Sequence, residues 1–282
     1  MVAGPNGSGK TTLIRALRAS RAVVLPEHYI NADDLKQERG LDDRAAQKLA
    51  ETLRLEAIAD GRSFLYETVM SHPSKIAELQ AAAIAGYTIA VIFIATGDPA
   101  VNIERVALRV ADGGHGVSKD RIRARHARSL ALAPSALAFA RYAYVYDNSA
   151  WGTAASQQLQ AALQGVTLRP VVAQPVAWVR ELIAKVNGRA AELEDSYIAA
   201  KQRADLMFPN LTASVTEGVI TGSGKYYARQ ADARSGKIFI HDRALLAKFV
   251  ADGQSYRIEY AQGVSKVTRR PSGRLRAVKR GP

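Results

Sequence analysis

Gly4-Pro5-Asn6-Gly7-Ser8-Gly9-Lys10-Thr11 is the stretch that decides the fold. It fits G-x-x-x-x-G-K-[ST], in which the glycines let successive backbone N–H groups turn inward around phosphate oxygens. In such a loop the lysine reaches the β- and γ-phosphates and the hydroxyl after it coordinates Mg²⁺. ATP and Mg²⁺ are therefore the expected ligands. Gly4, Asn6, Gly7, Ser8, Gly9, Lys10, Thr11 and Thr12 form the expected binding set, with Thr11 as the metal contact. Residues 10 to 21 read as the helix that follows, with Leu13, Ile14 and Leu17 on one face and its N-terminus at the phosphates.

Outward from the loop, short apolar runs alternate with helical stretches. Val23 to Leu25 with Tyr29-Ile30 predicts a strand region ending at Asn31-Ala32-Asp33, and residues 41 to 60 have helical spacing. Ser63 to Tyr66 is apolar and stops at Glu67-Thr68, and residues 73 to 85 are helical again, opened by Pro73. Tyr87 to Ala95 is the clearest buried strand, since a continuous apolar run suits a parallel sheet covered on both faces. Helices over Pro99 to Ala111 and 119 to 133 precede a last strand, Tyr142 to Tyr146, ending at Asp147-Asn148-Ser149. The alternation predicts an α/β fold, a P-loop NTPase-type parallel sheet flanked by helices, with polar residues gathered where strands end. Only Met1-Val2-Ala3 precede the loop, whereas a full first strand needs several more apolar residues, as if the start were internal or trimmed.

The fold domain is expected over residues 1–175, a mixed-charge helical connector over 176–211, a small β-rich domain over 212–268 and a basic tail over 269–282. The β-rich reading rests on Val215 to Ile220, Tyr226 to Gln230, Lys237 to His241 and Tyr256 to Tyr260, punctuated by glycines. Residues 264 to 282 hold seven cations and no acidic residue, which reads as a solvated tail or as an anchor for DNA or a partner. The net charge of +13 points to anionic partners. The absence of cysteine excludes disulfides and thiolate chemistry and fits a cytoplasmic protein, and no apolar run is long enough to span a membrane.

A phosphate loop alone does not separate an ATPase from a kinase. A kinase acting on a hydroxyl gains from a carboxylate that accepts the proton. Asp33 is the candidate base, Glu67 the candidate for orienting substrate or metal, and Asp34 a candidate helix cap. Arg105 and Arg109, four apart, share a helix face that precedes the glycine-rich Gly113-Gly114-His115-Gly116, and Arg125 follows on the next helix. Guanidiniums there suit neutralisation of a transferring phosphoryl group. Thr68 and His115 complete the candidate substrate contacts. A nucleic-acid-associated ATPase of a plasmid or mobile element is the alternative reading.

The segments AGPNGSGKTTL, YINADDL, FLYETVMSHPSK, GYTIAVIFIATGDPAVNIERVALRV, GGHGV and YDNS, spanning residues 3 to 149, resemble the zeta-toxin family of P-loop kinases. The resemblance implies ATP-dependent phosphorylation of the 3′-hydroxyl of a UDP-N-acetyl amino sugar such as UDP-N-acetylglucosamine, and an antitoxin as partner. It implies Lys10 as the phosphate lysine, Thr11 as the metal contact, Asp33 as general base, Glu67 as the second acidic residue and Arg105 as the clamping arginine. The family's second arginine falls near GGHGV, where this chain has His115, so Arg109 or Arg125 would have to substitute. The segments VTEGVITGSGKYYARQ, GKIFIHDRALL and YRIEYAQGVSKV resemble a KfrB-type β domain, which implies a plasmid or mobile-element setting.

Overall fold

The computed structural model describes residues 1–20, 23–114, 116–150, 157–199 and 206–271. Its first sheet contains β1 (Val2–Ala3), β2 (Tyr29–Ile30), β3 (Leu65–Thr68), β4 (Ala90–Ala95), β5 (Tyr142–Asp147), β6 (Gln158–Gln164) and β7 (Thr167–Pro170), in the order β2-β3-β1-β4-β5-β6-β7. The five strands from β2 to β5 run parallel, and the β6–β7 hairpin adds an antiparallel edge. Helices α1 (Lys10–Ser20), α2 (Ala32–Arg39), α3 (Asp43–Ala59), α4 (Ser74–Ile84), α5 (Pro99–Ala111), α6 (Lys119–Leu137) and α7 (Ala177–Ala199) accompany it. This is the expected α/β architecture, a parallel sheet flanked by helices.

The first strand is two residues long, yet it lies mid-sheet. Val2 pairs with Glu67 and Ile92, and Ala3 with Thr68 and Phe93. Both residues are fully buried. Pairing on both sides fixes the direction in which the chain enters the Gly4–Thr11 loop. The loop therefore sits at the carboxyl ends of the strands, where open α/β sheets bind ligands.

Several local expectations change. Val23 and Val24 are exposed and outside β2, which is confined to Tyr29–Ile30. The helix expected after it is capped by Asn31, whose Oδ1 accepts from the Asp33 amide at 2.9 Å, so Asp34 lies in the first turn and is not the cap. Within the 176–211 stretch, α7 braces the fold, since its Val179, Leu182 and Val186 are buried in the same core as Phe93 and Leu168. Asn187 of α7 also accepts from the Leu168 amide at 2.8 Å and donates to the Leu168 carbonyl at 3.1 Å. That closes part of a sheet edge that would otherwise expose backbone groups.

The second sheet contains β8 (Leu206–Met207), β9 (Ala213–Ser223), β10 (Tyr227–Asp232), β11 (Ile238–Asp242), β12 (Ser255–Ala261) and β13 (Val264–Arg270), in the order β13-β12-β9-β10-β11-β8. β13 extends the β-rich unit to Arg270, two residues into the expected basic tail. Ser265 and Val267 face inward and Lys266 outward, so a period-2 pattern underlies the cationic composition. His241 is buried, with Nδ1 3.0 Å from the Tyr260 hydroxyl and Nε2 3.1 Å from Gln230 Oε1. Burial pushes its pKa down to about 3, so it is a neutral core residue.

The two sheets share one hydrophobic core: Ile220, Ala228, Leu245 and Ile258 belong to the same buried cluster as Ala133, Leu137 and Val179. Polar contacts reinforce the junction. Asp242 Oδ2 accepts from Ser135 Oγ of α6 at 2.7 Å and from the Arg189 guanidinium of α7, which lies over the Tyr227 ring at 4.8 Å. Glu192 of α7 accepts from the amides of Tyr226 and Tyr227 at 2.9 and 2.8 Å. The β-rich unit is therefore packed against the P-loop fold and not separate from it.

Removing one member of a buried ion pair leaves the other charge uncompensated, at a cost of about 3–5 kcal/mol. Asp242→Ala, which strands the buried Arg189, is expected to lower the unfolding free energy by about 3 kcal/mol in urea titrations. Asp242→Asn, which retains an acceptor for Ser135, is expected to lose less.

Candidate active site

The loop is held open by side chains outside it. Asn102 of α5 donates to the Asn6 carbonyl at 2.6 Å, Asn148 after β5 donates to the Ser8 carbonyl at 2.8 Å, and Gln157 donates to the Gly9 carbonyl at 3.2 Å. These amides meet loop carbonyls from outside the loop, and the Gly9 carbonyl also accepts from the Leu13 amide at 2.9 Å. Gly4, Gly7 and Gly9 have φ of 151°, 73° and 92°, values that L side chains rarely adopt. A Cβ at Gly7 would lie 2.6 Å from the Asn102 carbonyl oxygen, and one at Gly4 would overlap the Ile94 carbonyl. The buried Ser8 hydroxyl has no hydrogen-bond partner among the described residues. The cradle fits a phosphate chain on these grounds.

Lys10 opens α1 and folds back over the loop, its Nζ donating to the Gly4 and Pro5 carbonyls, each at 2.9 Å. Thr11 Oγ1 donates to Glu67 Oε2 at 3.0 Å, and the Tyr29 hydroxyl donates to Glu67 Oε1. Asn31 Nδ2 donates to the Tyr29 oxygen at 2.9 Å, completing a chain that orients the carboxylate. Burial, then the Glu67 hydrogen bond, pushes the Tyr29 phenol above its ordinary range, so it remains a donor. A hydroxyl beside a carboxylate is a hard-oxygen pair. It fits Mg²⁺, which takes one or two protein oxygens and completes its shell with phosphate oxygens and water.

Asp33 is exposed in the first turn of α2, close enough for its charge to act on the Lys10 ammonium, as do the charges of Glu67, Arg109 and Arg125. Arg125 Nη1 also donates to Asn6 Oδ1 at 3.3 Å. Arg105 turns toward the Asn148–Ala150 segment, donating to the Asn148 and Ala150 carbonyls at 2.8 Å each. Burial lowers its pKa and Asp147 opposes the shift. Thr68 Oγ1 accepts from the Met70 amide at 3.0 Å, Thr12 is exposed on α1, and His115 lies outside the described residues.

Asn102, Asn148, Tyr29 and Gln157 join this constellation without having been singled out in the sequence. Asn148 stood at a strand end, which is the one signal that could have found it. Asn102 looks like any polar helix residue until the loop packs on it.

Burial pushes the Lys10 ammonium down to about 8, with Glu67 and Asp33 opposing and Arg109 and Arg125 reinforcing the shift. The cation is present below that pH and lost as pH rises through it. ATP affinity is therefore expected to fall above about pH 8, by up to about tenfold per pH unit, with uptake of one proton on binding. Calorimetry across pH 7 to 9, in buffers of different ionisation enthalpy, checks this. Lys10→Met is expected to bind weakly at every pH and to lose the slope.

The KfrB domain model matches residues 215–269. An uncharacterized protein of Haemophilus influenzae is 28% identical over 123 residues, which is 44% of this chain and 88% of that one. Among solved structures, one from the PezAT chromosomal toxin-antitoxin system of Streptococcus pneumoniae covers 69% of this chain and 86% of its own, at 18% identity and a TM-score of 0.38. The AvrRxo1-ORF1:-ORF2 structure with ATP covers 72% and 73%, at 15% identity and a TM-score of 0.44. The Zeta toxin model matches residues 1–149, more than half of the 282 and all of the loop, Asp33, Glu67 and Arg105: the chain belongs to the zeta-toxin family.

Proposed function

We propose that the protein is an ATP-dependent kinase that transfers the γ-phosphoryl group of ATP to a hydroxyl of a nucleotide sugar, with the 3′-hydroxyl of UDP-N-acetylglucosamine as the first acceptor to test. The observation that carries this reading is the convergence on one loop of Lys10, the Thr11–Glu67 pair, the exposed Asp33 and the cations Arg109 and Arg125. An ATPase needs the loop and the metal ligand. It has less use for a second, solvent-facing carboxylate whose charge reaches Lys10.

Lys10 and the loop amides would bind and orient the β- and γ-phosphates, and Thr11 with Glu67 would hold Mg²⁺. Once bound, the ion neutralises charge between those phosphates. Asp33 would take the proton of the acceptor hydroxyl as its oxygen bonds to the γ-phosphorus. The bond from that phosphorus to the β–γ bridging oxygen breaks, and ADP leaves. Arg109 and Arg125 would stabilise the charge on the transferring group. Arg105 would contribute by holding the Asn148–Ala150 segment or by swinging onto the phosphates when ATP is present.

The family membership supports a cytoplasmic toxin restrained by an antitoxin. Residues 212–282 carry 14 of the 39 basic and 5 of the 26 acidic residues, which supports a contact of this region with an anion such as DNA.

Incubation with ATP, Mg²⁺ and a panel of nucleotide sugars, read by mass spectrometry for a gain of one phosphate, is expected to identify the acceptor. Asp33→Asn is expected to lower transfer by about 10²–10⁴-fold while leaving ATP affinity nearly intact. Unchanged turnover in that variant removes Asp33 as the base. ATP hydrolysis that rises only on adding DNA would favour the nucleic-acid-associated ATPase instead.

A further inference from the structure

Glu67 and Thr68 end β3, and the chain runs from them through residues 69–73 into α4. This connection is tightly specified. Met70 adopts φ of 51°, rare for a residue with a side chain, and is buried. Its amide donates to Thr68 Oγ1 at 3.0 Å, and Arg128 Nε of α6 donates to the Ser71 carbonyl at 3.1 Å.

The far end of the same connection is held by the second sheet. The β12–β13 turn places Gln262 and Gly263 at φ of 49° and 77°. Gly263 packs so closely on Pro73 that an added Cβ would overlap its carbonyl and lie 2.9 Å from the Ser74 nitrogen. The turn is itself anchored, the amides of Gln262 and Gly263 donating to the Thr212 and Leu211 carbonyls at 2.9 and 2.8 Å. Two turns further along α4, the buried Gln80 donates to the Pro209 carbonyl at 2.9 Å and accepts from the Leu211 amide at 2.6 Å. The β12–β13 turn at Gly263 and the Pro209–Leu211 segment thus hold α4 at two points, its start at Pro73 and Gln80 two turns on.

We propose that this clamp makes the second sheet a positioning element of the kinase site: the Gly263 contact with Pro73 and the bonds of Pro209 and Leu211 to Gln80 fix α4 and thereby the 67–73 connection that presents Glu67 and Thr68 to the site. The proposal rests on the kinase reading for its functional consequence. Its mechanical part stands apart from that reading and can be measured without turnover.

Three methionines, Met1, Met70 and Met207, give a simple reporter set, with Met70 inside the connection. The full chain with ¹³C-methyl methionine would be compared with Gly263→Ala, Gln80→Leu, and the controls Gly236→Ala and Gly253→Ala. The control glycines have φ of 71° and 73°, like Gly263, but nothing within 4 Å of an added Cβ. They therefore carry the same backbone strain without the contact. The expected result is a displaced Met70 resonance in Gly263→Ala and Gln80→Leu and an unmoved one in both controls. With UDP-N-acetylglucosamine and ATP, Gly263→Ala is expected to raise the acceptor KM or lower kcat by about tenfold to a hundredfold, as a misplaced group does. ATP affinity is expected to stay within about twofold. A Met70 resonance at its wild-type position in both clamp variants, or equal effects in the controls, overturns the proposal. A displaced Met70 in a chain that transfers phosphate to no sugar would sustain the clamp and sink the kinase reading.

Discussion

A loop that points its backbone N–H groups inward must send its carbonyls elsewhere, and buried carbonyls left without donors cost free energy. Here the carbonyls of Asn6, Ser8 and Gly9 are met by the side-chain amides of Asn102, Asn148 and Gln157. The three donors come from α5, from the end of β5 and from the residue before β6. The phosphate cradle is therefore a joint product of much of the first sheet. The same packing accounts for the glycines: close approach of Asn102 and Asn148 leaves no room for a Cβ at Gly7 or Gly9. Arg105 belongs to the same device, since it ties down the carbonyls of Asn148 and Ala150 and so the segment that holds Ser8.

The constraint extends to the acidic side of the site. Glu67 is oriented by Thr11 from the loop helix and by Tyr29 from the neighbouring strand, with Asn31 behind Tyr29. Asn31 also caps α2 and so sets the turn that carries Asp33. One asparagine thus links the placement of both carboxylates. A change in α2 would be felt at Glu67 through two hydrogen bonds, without either residue touching the other.

Legibility in the sequence followed the kind of signal each element carries. The Gly4–Thr11 loop and β4 were plain, because fixed glycine spacing before a helix suits little besides a phosphate loop, and a short continuous apolar run suits a buried strand. The β6–β7 hairpin was missed because QLQAALQ offers only weak alternation and TLRP ends in proline. β13 was hidden by charge: its outward Lys266 and the arginines that follow dominate the composition, while Ser265 and Val267 supply only two buried positions. For α7, apolar positions such as Trp178, Leu182 and Val186 were legible as a helical pattern, but not that Val179, Leu182 and Val186 pack into the shared core. Among site residues, those whose role is set by side-chain chemistry were nameable, whereas Asn102 and Gln157 act by meeting a distant backbone and carry no local mark.

The docking of the second sheet follows the same logic. A surface β unit needs only an apolar face to associate, but its position stays loose unless directional contacts fix it. Here they are directional: Asp242 meets Ser135 and Arg189, Glu192 meets two consecutive amides, and Gln80 makes reciprocal bonds to Pro209 and Leu211. The groups concerned are buried or partly buried, so a small rotation of the sheet would break several bonds at once and leave polar atoms unmet. Such a junction resists gradual sliding and favours one seated arrangement. Whatever displaces the second sheet must therefore act on α4 and α6 together, and both helices also hold the chain that leads out of Glu67, through Pro73 and through Ser71.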